Sequence, residues 1–134
     1  MMILRFLFSA AAFVAATYSL SAYSSPDKII PEPVEYSVSE GFHNLKGDGS
    51  DIKVYLSDAE FASKIKDLPS FAQEEAYRLV VGRKGVRIYA KTEEGAFRAA
   101  QCLEMMRLID RDIQFCDIFD YPRFQHRGIM LDEA

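Results

Sequence analysis

Residues 76–109, AYRLVVGRKGVRIYAKTEEGAFRAAQCLEMMRLI, contain the clearest local signals for secondary structure in the chain. The stretch begins with two runs rich in β-branched and aromatic residues, joined by the glycine-bounded loop GRKG at residues 82–85. That arrangement predicts a β-hairpin. A helical pattern follows at once, with Thr92 as a possible N-cap and with Glu93 and Glu94 suited to the positive end of a helix dipole. We therefore expect a hairpin that leads directly into a helix.

One side of this predicted helix carries small and apolar residues. Ala96, Ala100 and Leu103 fall on one face, with Ala99 and Met106 beside them. Because alanine side chains are small, this face would let the helix lie close to a β-sheet.

Two strands are predicted upstream of the hairpin. Val34, Tyr36 and Val38 alternate with polar residues, as does IKVYL at residues 52–56, and a period of two is typical of strands. Between them, EGFHNLKGDGSD at residues 40–51 is predicted to be a turn-rich connection because it holds three glycines.

A second helix is predicted at residues 57–68, SDAEFASKIKDL. Ser57 is a possible N-cap, and Glu60 follows it at the capping-box spacing. Phe61 and Ile65 recur at a helical interval, which favours an amphipathic helix.

The remaining segments complete the order of elements. PSFAQEE at residues 69–75 is predicted to be a linker, and RDIQFCDIFDYP at residues 111–122 a short strand that ends before Pro122. The order strand, strand, helix, hairpin, helix, strand predicts an α+β domain over residues 25–120, with helices packed on one face of a mainly antiparallel sheet.

The segment DYPRFQHRGIMLDEA, residues 120–134, has a different character. Ile129–Leu131 is a continuous apolar run, which is typical of a strand buried on both faces, as in a parallel sheet. Arg127 comes just before the run and Asp132 just after it. A buried arginine needs acceptors for its guanidinium, either a structural carboxylate or the hydroxyls of a polar ligand.

Residues 1–24 have the pattern of a secretory signal peptide: Arg5, an apolar run to about Leu20, and then small residues. Cleavage after Ser21, Ala22 or Ser24 is compatible with the sequence. A membrane anchor is the alternative, but the apolar run is short for a span of about 20 residues. We expect a secreted or periplasmic protein that has no membrane contact after cleavage.

Several kinds of chemistry are disfavoured. The formal net charge is −4 without a basic block, which argues against a nucleic-acid partner. His43 and His126 lack the context for a nucleophilic triad or a zinc site, so no metal and no cofactor are expected. Cys102 and Cys116 could form a disulfide or could be small buried hydrophobic residues, and we favour unpaired thiols.

Three stretches in this order resemble glycoside hydrolase family 20, the β-N-acetylhexosaminidases: IIPEPVEY at residues 29–36, residues 76–106, and residues 120–134. The middle stretch resembles the hairpin and helix of that family's N-terminal α+β domain. The last resembles its P-R-F-x-x-R-G-x-x-L-D segment, which forms the first strand of a (β/α)8 catalytic barrel.

The resemblance implies that residues 121–134 are the start of a catalytic domain, truncated after one orphan barrel strand. It implies that Arg127 binds the ring hydroxyls of the sugar and that Asp132 has a supporting role. In the family, the substrate's 2-acetamido group is the nucleophile and a later Asp-Glu pair assists it. That pair lies beyond this chain, so no catalytic residue is assigned here and no hydrolase activity is expected from this polypeptide.

Two functions remain open at the sequence level. The chain is either the N-terminal portion of a secreted β-N-acetylhexosaminidase that acts on N-acetylhexosamine-containing glycans, or a non-catalytic glycan-binding or accessory module packed on a separate barrel. The sequence specifies neither the linkage cleaved nor an oligomeric state.

Overall fold

The computed structural model describes residues 23–128, which form one five-stranded mixed sheet with helices around it. The strands are β1 (Glu35–Asn44), β2 (Ile52–Leu56), β3 (Tyr77–Gly82), β4 (Gly85–Ala90) and β5 (Asp112–Asp120). Their order across the sheet is β1-β5-β3-β4-β2. Only the pair β2 and β4 is parallel among these strands, so the expectation of an α+β domain with a mainly antiparallel sheet is confirmed.

The helices include one that was not expected. A 3-10 turn covers Pro26–Lys28, and the α-helices are α1 (Ala59–Ile65), α2 (Ser70–Glu75) and α3 (Glu93–Ile109). The segment of α2 was predicted to be a linker, and this was wrong. A helix of six residues that begins after Pro69, without a side-chain cap, is too short to show a helical period in the sequence. Within residues 23–128, no helix is long and apolar enough to cross a membrane.

The hairpin and the helix after it form as the sequence predicts. β3 and β4 pair from Tyr77 opposite Ala90 to Gly82 opposite Gly85. The Thr92 hydroxyl then accepts a hydrogen bond from the Gly95 amide at 3.2 Å, which caps the start of α3.

The buried face of α3 differs from the predicted one. Its buried residues are Gly95, Ala99, Cys102, Leu103 and Met106. Ala100 is exposed and Ala96 is only partly buried, so the predicted face was wrong by about one position. The residue that lies against the sheet at the start of the helix is a glycine, and a hydrophobic pattern does not detect it.

The helices contact both faces of the sheet rather than one. Ile118 belongs to the main core, which α3 covers, whereas the next residue, Phe119, packs with Phe61 and Ile65 of α1. Successive residues of a strand point to opposite faces, so α1 lies on the face away from α3. The prediction that the helices pack on one face was therefore wrong.

Two local predictions in the N-terminal half also need correction. Asp58, not Ser57, caps α1 by accepting from the Phe61 amide at 2.9 Å, while Ser57 takes a positive φ of 68°. β1 continues through Gly41 into the region predicted to be turns, with a register shift between Val38 and Phe42. Gly41 has a φ of 112°, which glycine adopts without strain, so it forms a bulge rather than ending the strand.

Both cysteines are free and buried in the main core, which confirms the expectation of unpaired thiols. The predicted strand at Ile129–Leu131, the predicted supporting residue Asp132 and residues 1–22 of the predicted signal peptide lie outside the described residues.

Candidate functional site

A cleft lies where the chain leaves the sheet and passes α3. After β5 ends at Asp120, residues 121–124 and Arg127 line an open cavity of about 370 Å³ beside α3, together with Ile29 and residues 31–33. Its volume is in the range of small-molecule sites, which are mostly apolar with a few polar groups. Arg127, for which the resemblance implies sugar binding, lies within the described residues and lines this cleft.

The inner wall of the cleft contains a partly buried polar cluster. The Tyr77 hydroxyl donates a hydrogen bond to Asp120 Oδ2 at 3.4 Å, and Asp120 Oδ1 accepts from the Val34 amide at 3.1 Å. Burial raises the pKa of the Asp120 carboxyl above its usual range and outweighs these hydrogen bonds, which act in the opposite direction. Burial also raises the pKa of the Cys102 thiol, to about 11. It raises the pKa of the Tyr77 hydroxyl well above its usual range. The cleft wall therefore disfavours the charged form of each of these three groups.

Arg127 is part of an ion-pair network at the rim of the cleft. Its Nη2 donates to Glu75 Oε2 at 2.5 Å, and the same oxygen lies 3.2 Å from Nε of Arg98. Arg98 in turn pairs with Glu94 at 2.8 Å, one helical turn earlier. The network ties the segment after β5 to both α2 and α3. The sequence left two kinds of acceptor open for Arg127, a structural carboxylate or the hydroxyls of a ligand. In the structure Arg127 pairs with a carboxylate, that of Glu75.

Sequence reasoning did not identify Glu75, Arg98 or Asp120 as parts of the site. The pair of Glu94 and Arg98 could have been found, because residues four apart on a helix are neighbours. Glu75 could not have been found, because its partner Arg127 is 52 positions away in the sequence. The segment that contains Glu75 was also predicted to be a linker rather than a helix.

A second titratable pair lies at the other end of the sheet. His43 Nε2 is 2.5 Å from Asp51 Oδ2, and both side chains are largely buried. Asp51 also accepts from the Lys46 amide at 3.1 Å. Burial alone would raise the pKa of Asp51, but the hydrogen bonds from His43 and the Lys46 amide lower it overall. This pair closes the loop between β1 and β2, which is a structural role.

The described residues offer no obvious metal centre. Within residues 23–128, no three of the His, Cys, Asp and Glu side chains are grouped so that they could hold a metal ion. The chemistry available in the cleft is therefore hydrogen bonding by arginines, a tyrosine and carboxyl groups, next to apolar and aromatic surface.

Two solved structures share the fold. A β-N-acetylhexosaminidase matches with a TM-score of 0.51 at 21% identity, over 75% of this chain and 19% of that chain. An inactive mutant of an exo-β-N-acetylglucosaminidase from Vibrio harveyi matches with a TM-score of 0.51 at 20% identity, over 81% of this chain and 21% of that chain. The chain thus spans about a fifth of the length of these proteins.

A family model described as glycosyl hydrolase family 20, domain 2, matches residues 45–121. The match runs from the end of β1 to the first residue after β5, and so contains most of the sheet, α1, α2 and α3. Since it covers more than half of the 134 residues, the chain belongs to glycosyl hydrolase family 20.

Proposed function

We propose that this chain is the N-terminal portion of a secreted β-N-acetylhexosaminidase, which removes terminal N-acetylglucosamine or N-acetylgalactosamine from glycans. One observation carries the proposal: a family 20 domain 2 at residues 45–121 is followed directly by the P-R-F-x-x-R-G segment that contains Arg127. In this proposal the residues from 121 onward begin the catalytic domain.

Arg127 is proposed to bind the sugar in the cleaving subsite. A planar guanidinium presents parallel N–H donors, which suit two neighbouring hydroxyl oxygens. The Arg127 side chain is about half exposed and lies on a segment at the edge of domain 2. Its guanidinium can therefore leave Glu75 and bind a ligand while the core of the domain stays folded. Asp132 is proposed to support it.

The proposed reaction is a substrate-assisted retaining hydrolysis. The 2-acetamido group of the substrate attacks the anomeric carbon, an aspartate orients that group, and a glutamate protonates the leaving oxygen. Both carboxyl groups are proposed to lie on a later strand of the barrel, beyond residue 134. A (β/α)8 barrel typically needs about 250 residues, and one strand cannot close it.

The outer surface of α3 supports the presence of a further domain. Phe97, Met105 and Leu108 are exposed there, with Phe124 nearby on the segment after β5. A cluster of large apolar side chains on a surface is typical of a contact with another domain or protein.

The first experiment assays the purified chain with a chromogenic N-acetylglucosaminide. We expect no turnover from residues 1–134, because the Asp-Glu pair is proposed to lie after them, and clear turnover would contradict the assignment of catalysis to later residues. The second experiment reads the DNA downstream of codon 134 in all frames. A continuation with R-H-F and a later D-E pair supports the proposal, and a stop without a barrel nearby contradicts it.

The cleft favours a second candidate, a non-catalytic module that binds glycans or packs on a separate barrel. Arg123, Arg127, Tyr121 and Phe124 line it, and arginines next to aromatic rings can bind a sugar by hydrogen bonds and stacking. Titration of the chain with N-acetylglucosamine, followed by NMR, tests this. Saturable shifts at the cleft that disappear in Arg127→Ala support the module, and an unchanged spectrum rules out sugar binding by the chain alone.

A further inference from the structure

A row of side chains crosses three strands on the sheet face that lies away from α3. Arg78 on β3 lies opposite Tyr89 on β4, and Tyr89 lies opposite Tyr55 on β2. The two tyrosine rings are 5.1 Å apart between centroids, with 15° between their planes, and the Arg78 guanidinium lies 5.9 Å from the centroid of the Tyr89 ring. Because the preceding residue, Ile88, belongs to the main core, Tyr89 points to the other face. The row is therefore a stack that runs from β3 to the edge of the sheet.

The row ends at Tyr55, whose ring is open to solvent. β2 is an outer strand of the sheet, so no strand covers the side of Tyr55 that faces away from Tyr89. Tyr55 is 41% exposed. An aromatic ring has an apolar surface with a negative face, and the C–H groups on one side of a sugar ring carry a small positive charge. The outer side of Tyr55 therefore suits stacking against a sugar.

Exposed cations lie beside this row. Lys53 on β2 lies opposite Arg87 on β4, and each comes two residues before a tyrosine of the row. Residues two apart in a strand point to the same face and are about 7 Å apart. The hairpin turn just before β4 adds Arg83 and Lys84, which are also exposed. Within residues 23–128 none of these four cations forms an ion pair, so their charges are available to an anionic ligand.

Two carboxylates that share this face already have cationic partners. Asp117 on β5 accepts two hydrogen bonds from Arg78, at 3.0 and 2.7 Å. Glu35 on β1 lies 3.3 Å from the ammonium group of Lys64. These pairs do not neutralise the positive charge on β2 and β4, so the edge of this face attracts anions.

We propose that this face binds an acidic polysaccharide. A sugar ring stacks on Tyr55, and acidic groups of the chain pair with Lys53 and Arg87. The cations call for an anionic partner, because a neutral glycan would leave them without a counter-charge, and a guanidinium fork matches the two oxygens of a carboxylate. The choice of a glycan among anionic polymers rests on the proposed function, which this surface narrows to an acidic class of glycan.

The surface is separate from the cleft and from the exposed apolar residues of α3. Both of those features lie beside α3, whereas the tyrosine row lies on the opposite face of the sheet. The row therefore stays accessible when a further domain packs on α3. Binding there would hold a polysaccharide on domain 2 and raise its concentration near the proposed catalytic domain.

Calorimetric titration of the chain with a chondroitin sulfate oligosaccharide tests the proposal. A neutral N-acetylglucosamine oligomer of the same length is the matched ligand. We expect saturable binding of the acidic oligosaccharide that weakens as the ionic strength rises, and no such binding of the neutral one. Equal binding of the two, or no binding of the acidic oligosaccharide, would overturn the proposal. Equally tight binding of a DNA oligonucleotide of the same charge would overturn it too.

Variants separate the contribution of the charges from that of the ring. Lys53→Gln combined with Arg87→Gln should weaken binding roughly tenfold, because two exposed ion pairs with the ligand are lost. Lys28→Gln combined with Arg107→Gln removes the same charge elsewhere and should leave the affinity unchanged. Tyr55→Val keeps a strand-forming residue and should weaken binding without changing its dependence on ionic strength. Urea unfolding checks that each variant is folded, and a folded charge variant that binds like the parent chain would overturn the proposal.

These measurements are independent of hydrolysis. They follow binding alone, and none of the variants alters a residue that lines the cleft. Loss of the predicted binding would therefore overturn the tyrosine surface and leave the proposed glycosidase function standing. A failure of the proposed glycosidase function would, in turn, leave the predicted binding of the acidic oligosaccharide measurable.

Discussion

At the scale of single residues, Glu75 contacts two arginines from different parts of the chain. Its Oε2 atom lies 2.5 Å from Nη2 of Arg127 and 3.2 Å from Nε of Arg98. The Glu75 side chain is 22% exposed, so it is better shielded from solvent than most surface ion pairs. A partly buried carboxylate that joins two cations holds the segment after β5 near α3 more firmly than an exposed pair would.

Glu75→Gln should reduce the free energy of unfolding by about 1 kcal/mol, because one acceptor loses its charge while both arginines remain. Urea unfolding measures the loss. Glu104→Gln is a matched control, since Glu104 forms an exposed pair with Arg107 on α3 and should leave stability unchanged. An equal loss in both variants would mean that the network around Glu75 has no special role.

Two partly buried carboxyl groups, those of Asp51 and Asp120, should make the stability of the fold depend on pH in opposite directions. The pKa of Asp51 is lowered in the folded state, so its contribution is present above the unfolded pKa and is lost as the pH falls through the folded pKa. The pKa of Asp120 is raised, so its charged form destabilises the fold, and stability increases as the pH falls through its folded pKa.

Urea unfolding between about pH 3 and pH 7 separates the two effects in the Asn variants. Asp51→Asn should be less stable than the parent chain at neutral pH, and the difference should shrink towards acid pH. Asp120→Asn should be no less stable at neutral pH, since an amide oxygen can still accept from Val34 and no charge is buried. A loss for Asp120→Asn that resembles the loss for Asp51→Asn would contradict these assignments.

At the scale of elements, the position of α3 depends on a close approach to the sheet at Gly95. A Cβ atom on this residue would lie 2.6 Å from the Ala76 carbonyl oxygen and 3.2 Å from Cβ of Ala90. Alanine has the higher helix propensity, by about 1 kcal/mol, so a glycine in the first turn of α3 is explained by packing rather than by helix formation.

Gly95→Ala should therefore destabilise the fold by roughly 1–3 kcal/mol, because a backbone carbonyl cannot move aside as a flexible side chain can. Gly82→Ala is the control, since nothing lies within 4 Å of the added Cβ there, and we expect a change within about 0.5 kcal/mol. Thermal or urea unfolding of both variants decides the point. A stabilised Gly95→Ala variant would show that helix propensity outweighs the contact.

The strands are also connected across the face away from α3. Arg78 on β3 forms two hydrogen bonds with Asp117 on β5, at 3.0 and 2.7 Å, and also contacts Glu60 of α1 at 3.4 Å. The hydrogen bonds that Arg78 donates to the Asp117 carboxylate raise the pKa of Arg78, so the guanidinium remains charged. This face therefore combines one bidentate ion pair with the aromatic contact between Phe61 and Phe119, which places α1 there.

At the scale of the whole molecule, the main core encloses both thiols. Cys102 on α3 and Cys116 on β5 are 2% and 5% exposed. Burial raises their pKa values, to about 11 for Cys102 and to about 12 for Cys116. Since the thiolate is the reactive form, both groups should be inert while the domain is folded.

Iodoacetamide should modify the two cysteines at least about 100-fold more slowly in the folded chain than in urea, because reaction requires opening of the core. Mass spectrometry of timed samples measures both rates. A thiol that reacts in the folded chain as fast as in urea would show that the core is open there, and a mass two units lower than expected would reveal a disulfide instead.

Local patterns in the sequence determined the hairpin, α3 with its Thr92 cap, the strand IKVYL and the family, because turn residues, caps and short motifs act within a few positions of each other. Those patterns also singled out Arg127. The sequence patterns predicted two matters wrongly, the face of the sheet on which α1 lies and the short helix α2, and they left open which acceptor Arg127 meets. The tertiary structure decided these, because each depends on contacts between residues that are distant in sequence. No nearby residue in the sequence indicates that Glu75 pairs with Arg127 or that Phe119 packs against Phe61. Only the folded domain brings these residues into contact.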